Sequence, residues 1–112
     1  MIVKTAEVLK IIDRANQTVF GGELPVNLLD IDIDFQDDVW GYCVPHDEVD
    51  GRILLGVTDQ FENAKQMANT VVHELIHAMQ IYNETRVGHD TPMWNHYVAE
   101  AEKAGYMVEI IF

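Results

Sequence analysis

The chain has 112 residues, of which 48% are hydrophobic, and its nineteen acidic and seven basic residues give a formal net charge of −12. This length allows one domain with a buried core and is too short for two. A surface this acidic is repelled by the phosphate backbone, so we expect no direct nucleic-acid binding from this domain alone, and no hydrophobic run approaches the roughly 20 residues of a membrane-spanning helix.

The first twenty residues and the cysteine content indicate a reducing compartment. Charges occur throughout this N-terminal segment, which does not have the pattern of a signal peptide. Cys43 is the single cysteine, so an internal disulfide and a zinc site made only of cysteines are both excluded. We interpret Cys43 as a small, partly buried hydrophobic residue and expect a cytoplasmic protein.

The first half of the chain predicts one helix followed by a small sheet. Residues 4–19 place hydrophobic side chains at helical spacing, and the glycines and proline of "FGGELPV" end this helix. Three strands are predicted in "LLDIDIDF", "DVWGYCV" and "RILLGV", with a turn at "PHDEVDG" between the last two. Aspartates alternate with hydrophobic residues in the first strand, and we interpret them as its solvent-exposed face.

A long second helix is predicted from Asp59 to about Tyr82. Asp59 and Glu62 fit a capping box at its start. One stripe at three- and four-residue spacing predicts the core face: Phe61, Ala64, Ala68, Val71, Val72, Leu75, Met79 and Tyr82. His73 and His77 then point roughly opposite the middle of that stripe, on the side that also carries Gln66, Thr70 and Gln80.

A third helix is predicted after the polar loop "NETRVGHD". Asp90 or Thr91 is its predicted cap, Pro92 lies in its first turn, and Gly105 ends it. "YMVEIIF" is expected to close the chain as a short strand or a hydrophobic tail. The predicted order is α-β-β-β-α-α-β, which is an α+β domain whose first helix packs on a sheet of three or four strands.

The sequence "HELIH" at residues 73–77 has the spacing of a metal site. Residues four apart on a helix have Cβ atoms about 5–6 Å apart, so His73 and His77 can bind one tetrahedral ion. Glu74 projects about 100° further round the helix, where it can act as a general base on a metal-bound water without being a ligand. The alternative is a solvated helix face, and the position in the middle of a helix, opposite a core stripe, favours the metal site.

A catalytic zinc ion has three protein ligands and one open position, so a third ligand is needed. The candidates are His46, His89 and His96. His89 is favoured because it lies twelve residues after His77, in a loop that reverses the chain. His96 lies two turns into the last helix and fits a second-shell donor or a surface residue, whereas His46, in an acidic turn, fits a solvated loop residue.

Three stretches, "VFGGELP", "HELIHAMQ" and "GHDTPMW", resemble the SprT-like (Spartan-related) zinc metallopeptidases. The resemblance extends from about Ile11 to Gly105 and implies a single zincin-like domain over residues 1–112. In that family the HExxH helix supplies two zinc ligands and the catalytic glutamate, and a glycine-histidine pair supplies the third ligand. Carried over, His73, His77 and His89 bind one zinc ion and Glu74 is catalytic, in an endopeptidase acting on protein or peptide substrates.

Two departures from the family pattern limit what the resemblance implies. The family commonly continues the third histidine as "HGPEF", whereas this chain has "HDTPMW", in which Trp94 is expected to take the aromatic packing role. Many members also append a cysteine-rich zinc ribbon, which this sequence does not contain. The DNA-coupled cleavage associated with Spartan is therefore not carried over, and we expect such a minimal, acidic version in a phage or a bacterium.

The implied reaction is hydrolysis of a peptide bond by a zinc-bound water. Glu74 takes a proton from that water and passes it to the leaving amine. The developing charge on the carbonyl oxygen needs a second donor. Candidates are His96, Tyr97, Tyr42 and Tyr82, with core packing as the alternative role of each tyrosine. An extended substrate could add to a sheet edge, at "RILLGV" or "WGYCV".

Two hypotheses without catalysis remain open. One is an idle zinc-binding module whose acidic surface binds a basic partner, although a purely structural site has no need for Glu74. The other is a decoy that imitates nucleic acid, which explains the net charge but leaves the histidine motif as a coincidence. Histidine ligation suits zinc, and cobalt, nickel or manganese can occupy similar sites.

Overall fold

The computed structural model describes residues 3–34 and 39–108 of the chain. In these residues the elements follow the order α1 (Thr5–Thr18), a 3₁₀ turn (Val26–Leu28), β1 (Leu29–Asp34), β2 (Gly41–Pro45), β3 (Ile53–Thr58), α2 (Ala64–Tyr82) and α3 (Pro92–Lys103). The predicted α+β class is confirmed. The helices pack together around α2, which also covers the sheet formed by the three strands.

The sheet has the strand order β1-β3-β2, with β1 parallel and β2 antiparallel to β3. Leu55 at its centre is opposite Ile31 on one side and Cys43 on the other. The strand β3 is central, because β2 pairs with one side of it and β1 with the other. The prediction that "RILLGV" could be an edge strand is therefore wrong. Among the described strands, β2 has a neighbour only on its β3 side.

The aspartates of β1 are more constrained than a simple solvent-exposed face. Asp30 and Asp32 are half-buried. Arg52 donates two hydrogen bonds of 2.9 Å to the carboxylate of Asp30, and the hydroxyl of Tyr42 donates one of 2.8 Å to Asp32. Asp30 and Asp32 therefore lie on the face of the sheet that is opposite the helices, since alternate residues of a strand point to opposite sides of the sheet.

The start of α2 differs from the prediction. Asn63, and not Asp59, is the N-cap, and its side chain accepts a 2.8 Å hydrogen bond from the backbone of Gln66. The side chain of Gln66 in turn accepts from the backbone N–H of Glu62. A capping arrangement of the predicted kind thus occurs four residues later, because asparagine caps a helix as well as aspartate does.

The middle of α2 is buried all round, and not only on its hydrophobic stripe. Val71, Val72, Leu75 and Met79 are in the core as predicted. Ala64 and Tyr82, at the two ends of the helix, are exposed, contrary to prediction. On the other side, the buried polar residues are Thr70, His73, Glu74, His77 and Gln80. They are covered because α2 also contacts β2, which lies against Thr70 and Glu74, and α3.

The third helix begins at the second of its two predicted caps. The hydroxyl of Thr91 accepts a 3.0 Å hydrogen bond from the backbone of Trp94, and Gly105 follows the helix with a φ of +96°, which favours glycine. No strand forms in residues 106–108, and the rest of the predicted terminal strand or tail lies outside the described residues, as do Phe35 and Asp38 of the first two predicted strands.

One hydrophobic core joins the three helices and the sheet. Val8, Ile12 and Ala15 of α1 belong to it, and the ring of Phe20 packs 4.9 Å from that of Tyr97 in α3. Cys43 is a buried free thiol, which is close to the expected small, partly buried hydrophobic residue. None of the described helices has the length and hydropathy needed to cross a membrane.

Candidate metal centre

Three histidine side chains converge between α2 and the loop that leads to α3. The Nε2 atom of His89 lies 3.1 Å from Nε2 of His77 and 3.2 Å from Nε2 of His73. Their ligand atoms all lie within 4.8 Å of one another, so the three residues could hold a metal ion. His89 is exposed whereas the other two are buried, so the cluster is open to solvent on the side of the loop.

Two buried acceptors orient the histidines of α2. Nδ1 of His73 lies 2.9 Å from the backbone oxygen of Val108, and Nδ1 of His77 lies 2.7 Å from Oε1 of Gln80. Because both partners can only accept, each Nδ1 carries the proton and donates. Each Nε2 therefore keeps its lone pair, directed toward the centre of the cluster, as metal-binding imidazoles require.

Gln80 contacts the histidine cluster, and the sequence placed it on the correct side of α2 without assigning it a role. Its side-chain nitrogen donates to the backbone oxygen of Gly88 at 3.0 Å and to the hydroxyl of Thr91 at 2.9 Å. The signal in the sequence was an amide three residues after His77, where helical neighbours can contact each other. The partners in the loop could not be inferred from that spacing.

Trp94 packs against all three histidines. Its ring centroid lies 4.8 Å from that of His73, 5.2 Å from that of His77 and 4.7 Å from that of His89, and it is stacked on His77 with an angle of 17°. Only 5% of Trp94 is exposed. The expected aromatic packing role of Trp94 is confirmed, and its indole restricts the rotation of the three imidazoles.

The surroundings favour the neutral form of each histidine. Burial lowers the pKa of His73 to about 4, against the opposing hydrogen bond to Val108. Burial also lowers the pKa of His77 and of His89. At neutral pH the three imidazoles are therefore uncharged, which is the form that binds metals.

Glu74 lies beside the cluster and has a raised pKa. One carboxylate oxygen is 3.9 Å from Nε2 of His73, and burial raises the pKa of Glu74 to about 7. Gly41 of β2 lies against it: a Cβ atom at Gly41 would be 3.1 Å from Cγ of Glu74 and 3.0 Å from Cγ2 of Thr70. The absence of a side chain at Gly41 therefore allows β2 to approach the glutamate closely.

The residues predicted as possible donors to the carbonyl oxygen of the substrate lie at different places in the fold. His96 is exposed on α3 with its ring 4.9 Å from that of Tyr97, and Tyr97 itself is buried against Phe20. Their role as donors to the reaction stays a prediction. Tyr42 bonds to Asp32 on the far side of the sheet, and Tyr82 is 51% exposed at the end of α2.

His46 does not join the cluster. It lies at the start of the β2–β3 turn, where its Nδ1 accepts a 3.2 Å hydrogen bond from the backbone of Glu48. The metal-ligand group found in the described residues contains His73, His77 and His89. Of the three candidates for the third position, the structure therefore brings His89 to the other two.

The donor set fits zinc. A tetrahedral ion about 2.0–2.1 Å from each nitrogen needs ligand nitrogens about 3.3 Å apart, close to the 3.1 and 3.2 Å observed from His89. Three histidine ligands would leave a fourth position of a tetrahedral ion for water or substrate. The hydrogen bonds at Nδ1 of His73 and His77 are of the kind that orient metal-bound histidines.

Comparison with known proteins agrees with this geometry. A family model described as the SprT-like family matches residues 8–110. A search of curated proteins found no match. The matched region contains the whole of α2 and α3 and the loop with His89. Because the match extends over most of the chain, the protein belongs to the SprT-like family.

Proposed function

We propose that the protein is a zinc-dependent metalloendopeptidase. The observation that supports this most strongly is the convergence of three histidine ligand atoms within 4.8 Å of one another, beside the buried Glu74 of α2. In this proposal His73, His77 and His89 hold the ion and Glu74 is the general base. A closed structural site would have no use for Glu74 at this position.

The residues around the ion have separate tasks in this reaction. His73, His77 and His89 would hold the zinc ion, which would supply Lewis-acid chemistry for activating water and polarising the scissile carbonyl. Glu74 takes the proton from the attacking water and transfers it to the leaving amine. Burial raises the pKa of Glu74 to about 7 in the metal-free protein, and a zinc ion beside it would lower this pKa and favour the carboxylate, which is the form that accepts the proton.

The substrate we propose is an extended segment of a protein or peptide. Among the described strands, β2 pairs with β3 alone, so an extended chain could add along its other edge. Gly41 at the start of β2 contacts Glu74, so a segment bound along this strand would pass the general base. The net charge of −12 supports a protein substrate over a nucleic acid.

The test combines metal content with hydrolysis. The protein is purified without a histidine tag, and its zinc content and its cleavage of an unfolded protein such as casein are measured together with Glu74→Gln and with Glu102→Gln, an exposed glutamate of α3. We expect about one zinc ion per chain in all three, and hydrolysis in the wild type and Glu102→Gln only.

Two results would contradict the proposal. Absence of zinc binding, even when zinc is supplied, would exclude the metallopeptidase. Zinc binding without hydrolysis in the wild type would instead indicate the idle metal-binding module. The Glu102→Gln control separates the loss of the general base from the effect of removing one negative charge.

A further inference from the structure

The Gln80 side chain connects His77 of α2 with the loop that carries His89 and with the cap of α3. It lies one helical turn after His77 and is fully buried, with 0% of its surface exposed. We infer that Gln80 is a positioning residue that fixes both the tautomer of His77 and the position of the loop that carries His89. This inference rests on the proposed metal site and adds a residue that acts through the ligands.

The orientation of the Gln80 amide follows from its neighbours. The backbone oxygen of Gly88 can only accept, so the side-chain nitrogen of Gln80 must face it, at 3.0 Å. The side-chain oxygen then faces Nδ1 of His77 at 2.7 Å. Because an amide oxygen cannot donate, the proton of neutral His77 must be on Nδ1, and its Nε2 is left as a ligand atom.

The same amide holds the loop before the third histidine. Gly88 precedes His89, and Gln80 contacts its backbone on both sides, accepting from the N–H at 3.3 Å and binding the oxygen. The side-chain nitrogen also donates to Thr91, whose hydroxyl caps α3 at Trp94. This one side chain therefore holds the loop that carries His89 against α2 at two points.

Replacing Gln80 by methionine keeps the approximate volume and removes every one of these hydrogen bonds. The Nδ1–H of His77 and the polar groups of Gly88 and Thr91 are then left without their buried partner. His77 can turn or change tautomer, and the loop can move away from α2. Removing a hydrogen-bond partner of a metal ligand weakens metal binding by about 10- to 100-fold, and we expect an effect of this size.

The experiment compares Gln80→Met with Gln66→Met, the same change two turns before His73 on the same helix. Gln66 forms hydrogen bonds with Glu62 and Asn63 at the helix start. Zinc affinity is measured by competition with a chelator, and the tautomer of His77 by NMR of the imidazole nitrogens in metal-free protein. We expect Gln80→Met to bind zinc at least about tenfold more weakly and to lose the single Nδ1–H tautomer of His77. Gln66→Met should keep the zinc affinity and the His77 tautomer of the wild type.

A second variant keeps the inference testable if Gln80→Met does not fold. Gln80→Glu retains an acceptor for His77, replaces the donor to Gly88 and Thr91 with a carboxylate oxygen that repels the Gly88 oxygen, and adds one negative charge. It should keep the tautomer of His77 and bind zinc more weakly than the wild type does. A changed tautomer in this variant would overturn the role of the side-chain oxygen, and wild-type zinc affinity would overturn the role of the nitrogen.

The two proposals fail in different ways. A folded Gln80→Met protein with wild-type zinc affinity and an unchanged His77 tautomer overturns the inference about Gln80 and leaves the peptidase intact. A wild-type protein that binds zinc without hydrolysing peptides overturns the peptidase and leaves Gln80 in its positioning role. The tautomer measurement needs no metal, so it tests Gln80 even in a protein that binds none.

Discussion

The two sides of α2 are buried to a similar extent by opposite means. On one side, Val71 and Leu75 are 0% exposed among the hydrophobic residues of the core. On the other side, His73 is 4% and His77 7% exposed, and the Nδ1 of each has a hydrogen-bond partner. Burying a hydrophobic side chain stabilises the fold directly. A buried polar group loses its hydrogen bonds to water, and its hydrogen bonds within the protein mainly replace them.

We therefore expect folding stability to depend mainly on the hydrophobic side of α2 and metal binding on its polar side. Changes on the hydrophobic side should reduce the free energy of unfolding with or without metal. Changes on the polar side should alter metal binding more than folding. Substitutions on each side, with controls on the same elements, can confirm or contradict this division.

The largest effect is expected from Leu75→Ala on the hydrophobic side. Removing a fully buried leucine side chain leaves a cavity and lowers the free energy of unfolding by about 2–5 kcal/mol. Urea denaturation of metal-free protein measures this, with Tyr82→Ala as the control, since Tyr82 is 51% exposed on the same helix. A loss no larger than that of the control would show that the hydrophobic side does not stabilise the fold as we infer.

The second effect concerns the metal. A ligand that binds only the folded protein raises its stability by about 2.7 kcal/mol at a concentration 100 times its Kd. We expect zinc to stabilise the wild type in this way and to have little effect on His89→Ala, which loses one of the three histidines. Thermal unfolding with and without zinc measures the difference.

The control for the metal effect is His46→Ala, a histidine outside the cluster. It should keep the full stabilisation by zinc. Equal stabilisation of His89→Ala and His46→Ala would remove His89 from the ligand set.

The third effect is a pH dependence from Glu74. Burial raises its pKa from 4.5 to about 7 in the folded protein, so the folded state holds a proton that the unfolded state releases. Metal-free protein therefore loses stability as the pH rises from about 4.5 to 7, by about 1–3 kcal/mol. Glu74→Gln should lack this loss.

The measurement is urea denaturation at pH 5 and pH 8 in the presence of a chelator. The histidines contribute a pH dependence of the opposite sign, because the pKa of His73 is lowered, but this contribution is common to both proteins. The difference between the wild type and Glu74→Gln isolates the glutamate. The same pH dependence in both would contradict the inferred cost of burying its charge.

The smallest effect is expected from Asn69→Ala. Asn69 accepts a 3.0 Å hydrogen bond from the backbone of Met107, next to Val108, whose oxygen orients His73. Loss of this contact should lower the free energy of unfolding by about 0.5–1.5 kcal/mol and weaken zinc binding slightly. Asn95→Ala, an exposed position on α3, is the control, and an equal effect of the two changes would exclude a role of residues 106–108 in holding His73.

The features that the sequence determined by itself are local ones. The periodicity of hydrophobic residues predicted α1, α2 and α3, and the four-residue spacing of His73 and His77 placed two ligand atoms on one side of α2. These properties depend only on helix geometry, which is the same in every protein. The α+β class and the preference for His89 followed from the same kind of evidence together with the family resemblance.

Other features were decided only by the tertiary structure. Asp59 and Asn63 are both suitable caps, and only the structure shows that Asn63 caps α2. The central position of β3 depends on pairing with β1, which is distant in sequence. Gln80, Gly88 and the oxygen of Val108 act on the histidines through contacts between separate segments. Spacing along the chain does not encode such contacts, because a buried polar group takes whichever partner the packing of distant segments brings within hydrogen-bond distance.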